Sequence, residues 1–106
     1  MDQKLRNILT ELSDSLKSLY GERLVHIILF GSHAREENCY DSDIDIMVIL
    51  EGTVNPGEEI ERAGNITARI SLKHDVLVSC IFLSSERYKI EMSPLLLNVR
   101  REGIIL

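Results

Sequence analysis

Two aspartates at the head of an apolar segment are the residues of this sequence best placed to do chemistry. Asp43 and Asp45 stand two residues apart where the β-branched segment Ile44–Leu50 begins. Residues two apart on a strand face the same way, so both carboxylates project from one side of a sheet, about 6.6 Å apart along the backbone. Such oxygen ligands suit Mg²⁺, which takes one or two carboxylates together with the phosphates of a nucleotide.

A Gly-Ser pair precedes these aspartates. Gly31 and Ser32 end an apolar, strand-like run, and ten residues separate them from Asp43. We expect Ser32 to be the N-cap of a short helical segment over residues 34–36, where free amides would attract a phosphate that Gly31 lets approach the backbone. Most Gly-Ser pairs are only turns, so the pair alone does not establish a nucleotide site.

A third acid, Asp75, follows later in the chain. Residues 74–83 alternate as a strand, with Asp75 opening one of its faces. If this strand lies beside the second one, Asp75 meets Asp43 and Asp45, and a cation must neutralise the three carboxylates. In a two-metal displacement at an α-phosphate, such an acid is a metal ligand or a general base. The sequence is equally compatible with a solvated Asp75 at a strand end.

The remaining pattern predicts the elements that position these residues. Apolar spacing indicates helices over residues 2–20, from Asn55 and Pro56 to about Leu72, and from Ser93 and Pro94 to the paired arginines Arg100 and Arg101. The sequence also contains three strand-like runs, and its apolar C-terminal tail suits an edge strand or a contact with another chain. We therefore expect an α/β fold. Its mixed sheet would have three to four strands with helices packed against it.

Composition limits the classes of function. The 106 residues predict one domain, and 17 acids against 12 lysines and arginines give a net charge of −5, which makes long nucleic acid a poor partner. Two cysteines, Cys39 and Cys80, fit no metal motif and indicate reduced thiols. We see neither a leader nor an apolar run of about 18 residues, and we therefore expect a soluble cytoplasmic protein that does not cross a membrane.

The spacing of the turn and the two acids resembles a known signature. Gly31-Ser32, ten residues, and Asp43-Ile-Asp45 are similar to the Gly-Ser-x10-Asp-x-Asp motif of the minimal nucleotidyltransferases, small members of the DNA polymerase β-like superfamily. The flanking sequences and the end at residues 100–105 look like that family too, so the resemblance covers almost the whole chain. Glu36 departs from it, since many relatives have Gly there. Asp75 matches the family's third-strand acid by position only.

The resemblance implies a polymerase β palm-like fold, two Mg²⁺ ions held by Asp43, Asp45 and Asp75, and transfer of a nucleoside monophosphate, which we expect to be AMP from ATP. It also implies a partner, because such small chains are commonly antitoxins that silence a HEPN-domain ribonuclease by adding AMP to a tyrosine. Two alternatives stay open, a non-catalytic module that inhibits its partner by occlusion, and transfer to a small molecule or an RNA end. The number of chains that assemble is also open.

Overall fold

A four-stranded mixed sheet forms the centre of the molecule, with its strands in the order β3-β2-β1-β4. The computed structural model describes residues 1–36 and 43–106. In chain order, the elements are α1 (Gln3–Tyr20), a 3-10 turn (Gly21–Arg23), β1 (Leu24–Phe30), β2 (Ile44–Leu50), α2 (Pro56–His74), β3 (Val78–Ser84), α3 (Ser85–Ile90), α4 (Pro94–Glu102) and β4 (Ile104–Ile105). The expected α/β fold is therefore confirmed.

The pairing of the strands fixes which residues flank the aspartates. Strand β1 runs antiparallel to β2 and to β4, whereas β2 and β3 are parallel. Helix α2 makes the crossover that a parallel pair requires. In the resulting register, Phe30 of β1 and Ser79 of β3 lie on the two sides of Asp45.

Helices α1 and α2 cover one face of the sheet. The apolar stripe of α1 is buried, as its spacing predicts, at Leu5, Ile8, Leu9, Leu12 and Leu16. The last predicted member, Leu19, is instead exposed, and Tyr20 is buried next to it. The stripe packs against the even-numbered residues of β2, namely Ile44, Ile46, Val48 and Leu50. Full burial of each such aliphatic side chain contributes roughly 1.5–3 kcal/mol. This layer is therefore the larger part of the core.

Helices α3 and α4 cover only part of the opposite face. The odd-numbered residues Met47 and Ile49 of β2 pack there in a smaller cluster with Ile28, Leu83, Leu96 and Val99. Arg100 of α4 links the two helices, because it donates hydrogen bonds to the backbone carbonyls of Tyr88 on α3 and Glu91 at the end of α3. Asp43 and Asp45 lie on this same face at the start of β2, where Asp43 is exposed and Asp45 is half-buried.

The predicted helix starts are confirmed. Asn55 accepts a hydrogen bond from the backbone of Glu58, and Ser93 accepts one from the backbone of Leu96, with Pro56 and Pro94 as the first helical residues. The apolar C-terminus is the edge strand β4 that the sequence suggests, paired with Ile28 and Leu29. Within residues 1–36 and 43–106, no helix is both long and apolar enough to span a membrane.

The prediction that the third strand begins at His74 is wrong. Helix α2 extends to His74, whose Nε2 lies 2.8 Å from Glu11 Oε2 on α1. Asp75 then adopts the left-handed conformation, with φ 52° and ψ 51°, and its N–H donates to the carbonyl of Ser71. Strand β3 begins only at Val78. The contact with α1 thus favours a longer helix, and Asp75 is its C-cap residue rather than a strand residue.

Candidate active site

The segment after β1 is a succession of tight turns. Gly31 has φ 74°, and its carbonyl accepts hydrogen bonds from the amides of Ala34 at 3.1 Å and Arg35 at 3.3 Å. Glu36 has φ 57°, and its amide donates to the carbonyl of His33. The short helix that we expected Ser32 to cap is therefore replaced by turns, because the left-handed conformation of Glu36 prevents a regular helix from continuing.

Gly31 lies directly against Asp45. A Cβ atom built on Gly31 would be 2.4 Å from Asp45 Oδ2, which is well inside van der Waals contact. The register explains this closeness, since Phe30 is the partner of Asp45 across the β1–β2 pair and Gly31 follows it. The structure therefore joins the two halves of the sequence motif into one site, where any residue with a side chain at position 31 would displace the carboxylate.

The two aspartates interact electrostatically. Burial, and after it the negative charge of Asp43, raises the pKa of the Asp45 carboxyl above its ordinary value. Electrostatic interactions with His33 and Arg35 lower the pKa of Asp45 and so act in the opposite direction. The carboxylates of Asp43 and Asp45 are thus close enough to repel each other, and a bound cation would relieve that repulsion.

Two basic residues of the turn segment also influence this site. His33 and Arg35 are near enough to Asp45 to lower the pKa of its carboxyl, and Arg35 Nη1 is also 3.4 Å from Glu102 Oε2 on α4. Neither residue is among those that the sequence pattern assigned to the site. The sequence could have indicated both residues, because they follow Gly31 closely. A turn that lies against a carboxylate places the next residues near that carboxylate as well.

Asp75 is not brought together with the other two acids. The described part of the chain contains no group of three or more His, Cys, Asp or Glu side chains that could hold a metal ion. Asp75 is exposed at the end of α2, and Ser79 is the β3 residue that pairs with Asp45. The expected cluster of three carboxylates is therefore not formed by the described residues, because Asp75 ends a helix and does not enter β3.

The donor set nevertheless fits Mg²⁺ in the manner expected of a nucleotide-bound ion. Mg²⁺ usually takes one or two carboxylates and completes its coordination with phosphate oxygens and water. Asp43 is exposed and Asp45 is half-buried on one face of β2, so their oxygens are open to such a ligand.

Other polar residues contribute to the packing of the fold. His26 lies edge-on to Tyr88, with 6.3 Å between the ring centroids. Arg100 also stacks over the Tyr88 ring, at 5.5 Å from its centroid, and Arg101 donates to Asn98 Oδ1 at 2.6 Å. Cys80 is a free thiol, as predicted. The expectation for Cys39 lies outside the described residues.

The fold and the site define a class of protein: an α/β domain in which a glycine turn and two strand-borne aspartates meet at the open part of one sheet face. The chain matches the family model described as "Polymerase beta, Nucleotidyltransferase" over residues 4–100, and it belongs to that family. The resemblance to the minimal nucleotidyltransferases is thereby confirmed.

Curated relatives and solved structures agree with this assignment. A relative from Methanocaldococcus jannaschii, "Putative protein adenylyltransferase MJ1305", is 37% identical over 101 residues, which cover 94% of this chain and 60% of that protein. The chain therefore spans less than two thirds of this relative. A solved "putative minimal nucleotidyltransferase" is 27% identical with a TM-score of 0.61, covering 100% of this chain and 97% of its own.

Two complexes share the fold at lower identity. A toxin–antitoxin structure with AMP-PNP has a TM-score of 0.64 at 19% identity, covering 98% of this chain and 72% of the other. A complex of tri-AMPylated Shewanella oneidensis HEPN toxin with MNT antitoxin has a TM-score of 0.50 at 19% identity, covering 92% of this chain and 70% of the other.

Proposed function

We propose that this chain transfers AMP from ATP to a hydroxyl group of a partner protein. The observation that carries the proposal is the contact of Gly31 with Asp45, which joins a turn open to phosphates and a carboxylate pair suited to a metal ion. Its membership of the nucleotidyltransferase family and its protein adenylyltransferase relative support the same reaction.

Each residue of the site has a role in this proposal. The backbone of Gly31 and Ser32 receives the β- and γ-phosphates, and the positive charge of Arg35 offsets part of their negative charge. Asp43 and Asp45 would hold Mg²⁺, which when bound neutralises charge on the triphosphate. Asp75 has no part in the site that we propose.

The reaction is a displacement at the α-phosphate. The acceptor oxygen forms a bond to the α-phosphorus, the bond from that phosphorus to the bridging oxygen breaks, and pyrophosphate leaves. The acceptor hydroxyl releases its proton to water. A tyrosine is the most suitable protein acceptor, since its hydroxyl has a pKa of about 10 and is far more acidic than that of serine.

We propose a HEPN-type toxin ribonuclease as the acceptor and this chain as its antitoxin, acting in the cytoplasm. The two toxin–antitoxin complexes of the same fold support this partner, and one of them holds a toxin that carries AMP. The net charge of −5 counts against a long nucleic acid as the acceptor.

The test is a transfer assay with purified HEPN-type ribonuclease, Mg²⁺ and ATP labelled at either the α- or the γ-phosphate. We expect label on the ribonuclease from α-labelled ATP only, and loss of labelling by at least 100-fold in Asp43→Asn and in Asp45→Asn. Asp14→Asn, a change of an exposed acid on α1, is the matched control and should label normally. Unlabelled ribonuclease, in a complex that size-exclusion chromatography shows to form, rejects the proposal.

One observation favours the second candidate, inhibition by occlusion. The described residues supply only two clustered acids to the site, with none placed as a third ligand or a general base. If occlusion suffices, the double variant Asp43→Asn with Asp45→Asn neutralises ribonuclease activity as fully as the unmodified chain. Under our proposal this variant binds the ribonuclease without silencing it.

A further inference from the structure

Ser79 lies at the position where a third carboxylate would complete the site. In the parallel pair of β2 and β3, Asp45 is the partner of Ser79. A backbone hydrogen bond of 2.9 Å from Ile44 to the carbonyl of Leu77 extends this register to the start of both strands. Partners in adjacent strands point to the same face and lie about 4.8 Å apart. The side chain of Ser79 therefore neighbours the Asp45 carboxylate.

The packing of β3 fixes the direction of Ser79 independently. Val78, Cys80 and Phe82 belong to the cluster beneath α1 and α2, whereas Leu83 belongs to the cluster on the opposite face. Because side chains alternate along a strand, Ser79 faces the side that carries Asp43 and Asp45. Asp45 is thus bounded by Gly31 on the β1 side and by Ser79 on the β3 side.

Ser79 is half-buried on an edge strand, so its neighbourhood is open to solvent and to another chain. Asp75 precedes it by four residues and belongs to the end of α2. Replacing the serine by aspartate would put a carboxylate beside Asp45 without a change of backbone, because aspartate is similar in size to serine and its carboxylate would extend towards the open part of the face.

We propose that Ser79 limits this site to one divalent cation, which Asp43 and Asp45 hold together with the nucleotide. Two divalent ions about 3.5–4 Å apart carry four positive charges and need shared carboxylates between them. The triphosphate neutralises the ion bound to it, whereas a second ion beside the acceptor oxygen depends on carboxylates, and within residues 1–36 and 43–106 only Asp43 and Asp45 are clustered there. The inference rests on the nucleotidyltransferase function proposed above and adds that the described residues hold no second metal ion for the acceptor oxygen.

The number of bound ions provides the test, independently of any transfer activity. Mn²⁺ is titrated into the chain in the presence of α,β-methylene-ATP, which cannot be cleaved at the α-phosphate, and bound ions are counted by electron paramagnetic resonance and calorimetry. We expect one Mn²⁺ for each bound nucleotide in the unmodified chain. We expect two in Ser79→Asp, with the second ion bound at least ten times more tightly than any further ion in the unmodified chain.

Matched variants separate the position from the charge. Ile81→Asp adds the same charge on the same strand and face but opposite Met47, and should keep one ion. Asp75→Asn should also keep one ion. Thermal unfolding gives a second readout, since Ser79→Asp should melt at a lower temperature than the unmodified chain without Mn²⁺ and gain more from its addition.

Each contrary outcome has a distinct meaning. Two ions in the unmodified chain, or one ion in a folded Ser79→Asp variant, overturn the role of Ser79 and leave the proposed transfer reaction intact. Loss of an ion in Asp75→Asn also overturns the inference. Failure of the unmodified chain to bind the nucleotide at all rejects both the inference and the proposed function. If Ser79→Asp does not fold, the count in the unmodified chain still decides.

Discussion

The absence of a side chain at Gly31 makes room for the carboxylate of Asp45. A Cβ atom at position 31 would lie 2.4 Å from Asp45 Oδ2, 3.3 Å from its Cγ and 3.4 Å from its own Cβ. The glycine that ends β1 and the aspartate on β2 are therefore one structural unit, although thirteen residues separate them in the sequence. A side chain at position 31 should therefore disturb Asp45 directly.

Gly31→Ala should displace Asp45 and weaken nucleotide binding. Its φ of 74° adds strain of about 1–2 kcal/mol for any residue with a Cβ. Gly21→Ala is the matched control, because Gly21 also has a positive φ, of 55°, but a Cβ atom placed there would meet nothing within 4 Å. We expect both variants to lose stability in urea unfolding and only Gly31→Ala to lose at least tenfold in ATP affinity by calorimetry. Equal affinities would contradict the steric role of Gly31.

Glu36→Gly should stabilise the chain. Glu36 adopts φ 57°, a conformation that costs a side-chain-bearing residue about 1–2 kcal/mol. Allowing for the entropy that glycine loses on folding, we expect a net gain of about 0.5–1 kcal/mol in urea unfolding. Glu36 also pairs at the surface with the N-terminal amine of Met1. Glu36→Ala removes that pair but keeps the strain, so an equal gain in this control would show that the conformation is not the cause.

Asp75→Gly should also stabilise the chain and leave the site unchanged. As the left-handed C-cap residue of α2, Asp75 occupies a position where glycine is usually preferred. We expect a gain of about 0.5–1 kcal/mol in the free energy of unfolding. ATP and Mn²⁺ affinities should stay within twofold of those of the unmodified chain. A tenfold loss of Mn²⁺ affinity would restore Asp75 to the site.

Glu59→Ala should destabilise the fold at a distance from the nucleotide site. Glu59 is 2% exposed, accepts a hydrogen bond of 3.0 Å from the Tyr20 hydroxyl and pairs with Arg23 and Arg62. Its removal leaves the buried Tyr20 hydroxyl without this acceptor, at a cost of about 1.5–3 kcal/mol after allowance for the solvent around the arginines.

The neighbouring exposed acid provides the control for this prediction. Glu58→Ala should change the free energy of unfolding by less than about 0.5 kcal/mol. Nucleotide affinity should be unaffected in both folded variants. Equal stabilities of Glu58→Ala and Glu59→Ala would show that the buried network contributes nothing.

The thiol of Cys80 should react slowly in the folded chain. Burial raises the pKa of Cys80 to about 12. At pH 8, its thiolate fraction is then roughly a thousandfold below that of a thiol of ordinary pKa, so alkylation in a Cys39→Ser background should be at least about 100-fold slower than in urea. Because the folded pKa is raised, stability should fall as the pH rises above about 8.5, the pKa of an unfolded cysteine. Equal alkylation rates with and without urea would contradict the burial.

Periodicity and capping predicted most of the local elements correctly, apart from the start of β3 and the short helix after Ser32. The stripe of α1, the Asn55-Pro56 and Ser93-Pro94 helix starts and the two faces of β2 all depend on interactions between residues a few positions apart, which the sequence displays directly. The spacing of Gly31, Asp43 and Asp45 also indicated one site, because the end of β1 lies beside the start of β2 when the two strands pair in antiparallel fashion.

The side chain that lies beside Asp45 on β3 could not be predicted in this way. If the whole segment were a strand, the alternation of side chains would place both Asp75 and Ser79 on the face of Asp45. The sequence alone favoured Asp75, because it is the acid. The choice between them depends on where α2 ends. That end is stabilised by contacts of α1 with the last turn of α2, where Glu11 pairs with Lys73 and His74.

The sequence by itself therefore determined the family, the α/β architecture and the pair of carboxylates beside a glycine turn, because these follow from local spacing and a specific motif. Only the tertiary structure decided that Asp75 caps a helix and that Ser79 neighbours Asp45. The physical reason is that the register of parallel strands is fixed by the length of the crossover helix and its packing, which involve residues more than sixty positions apart.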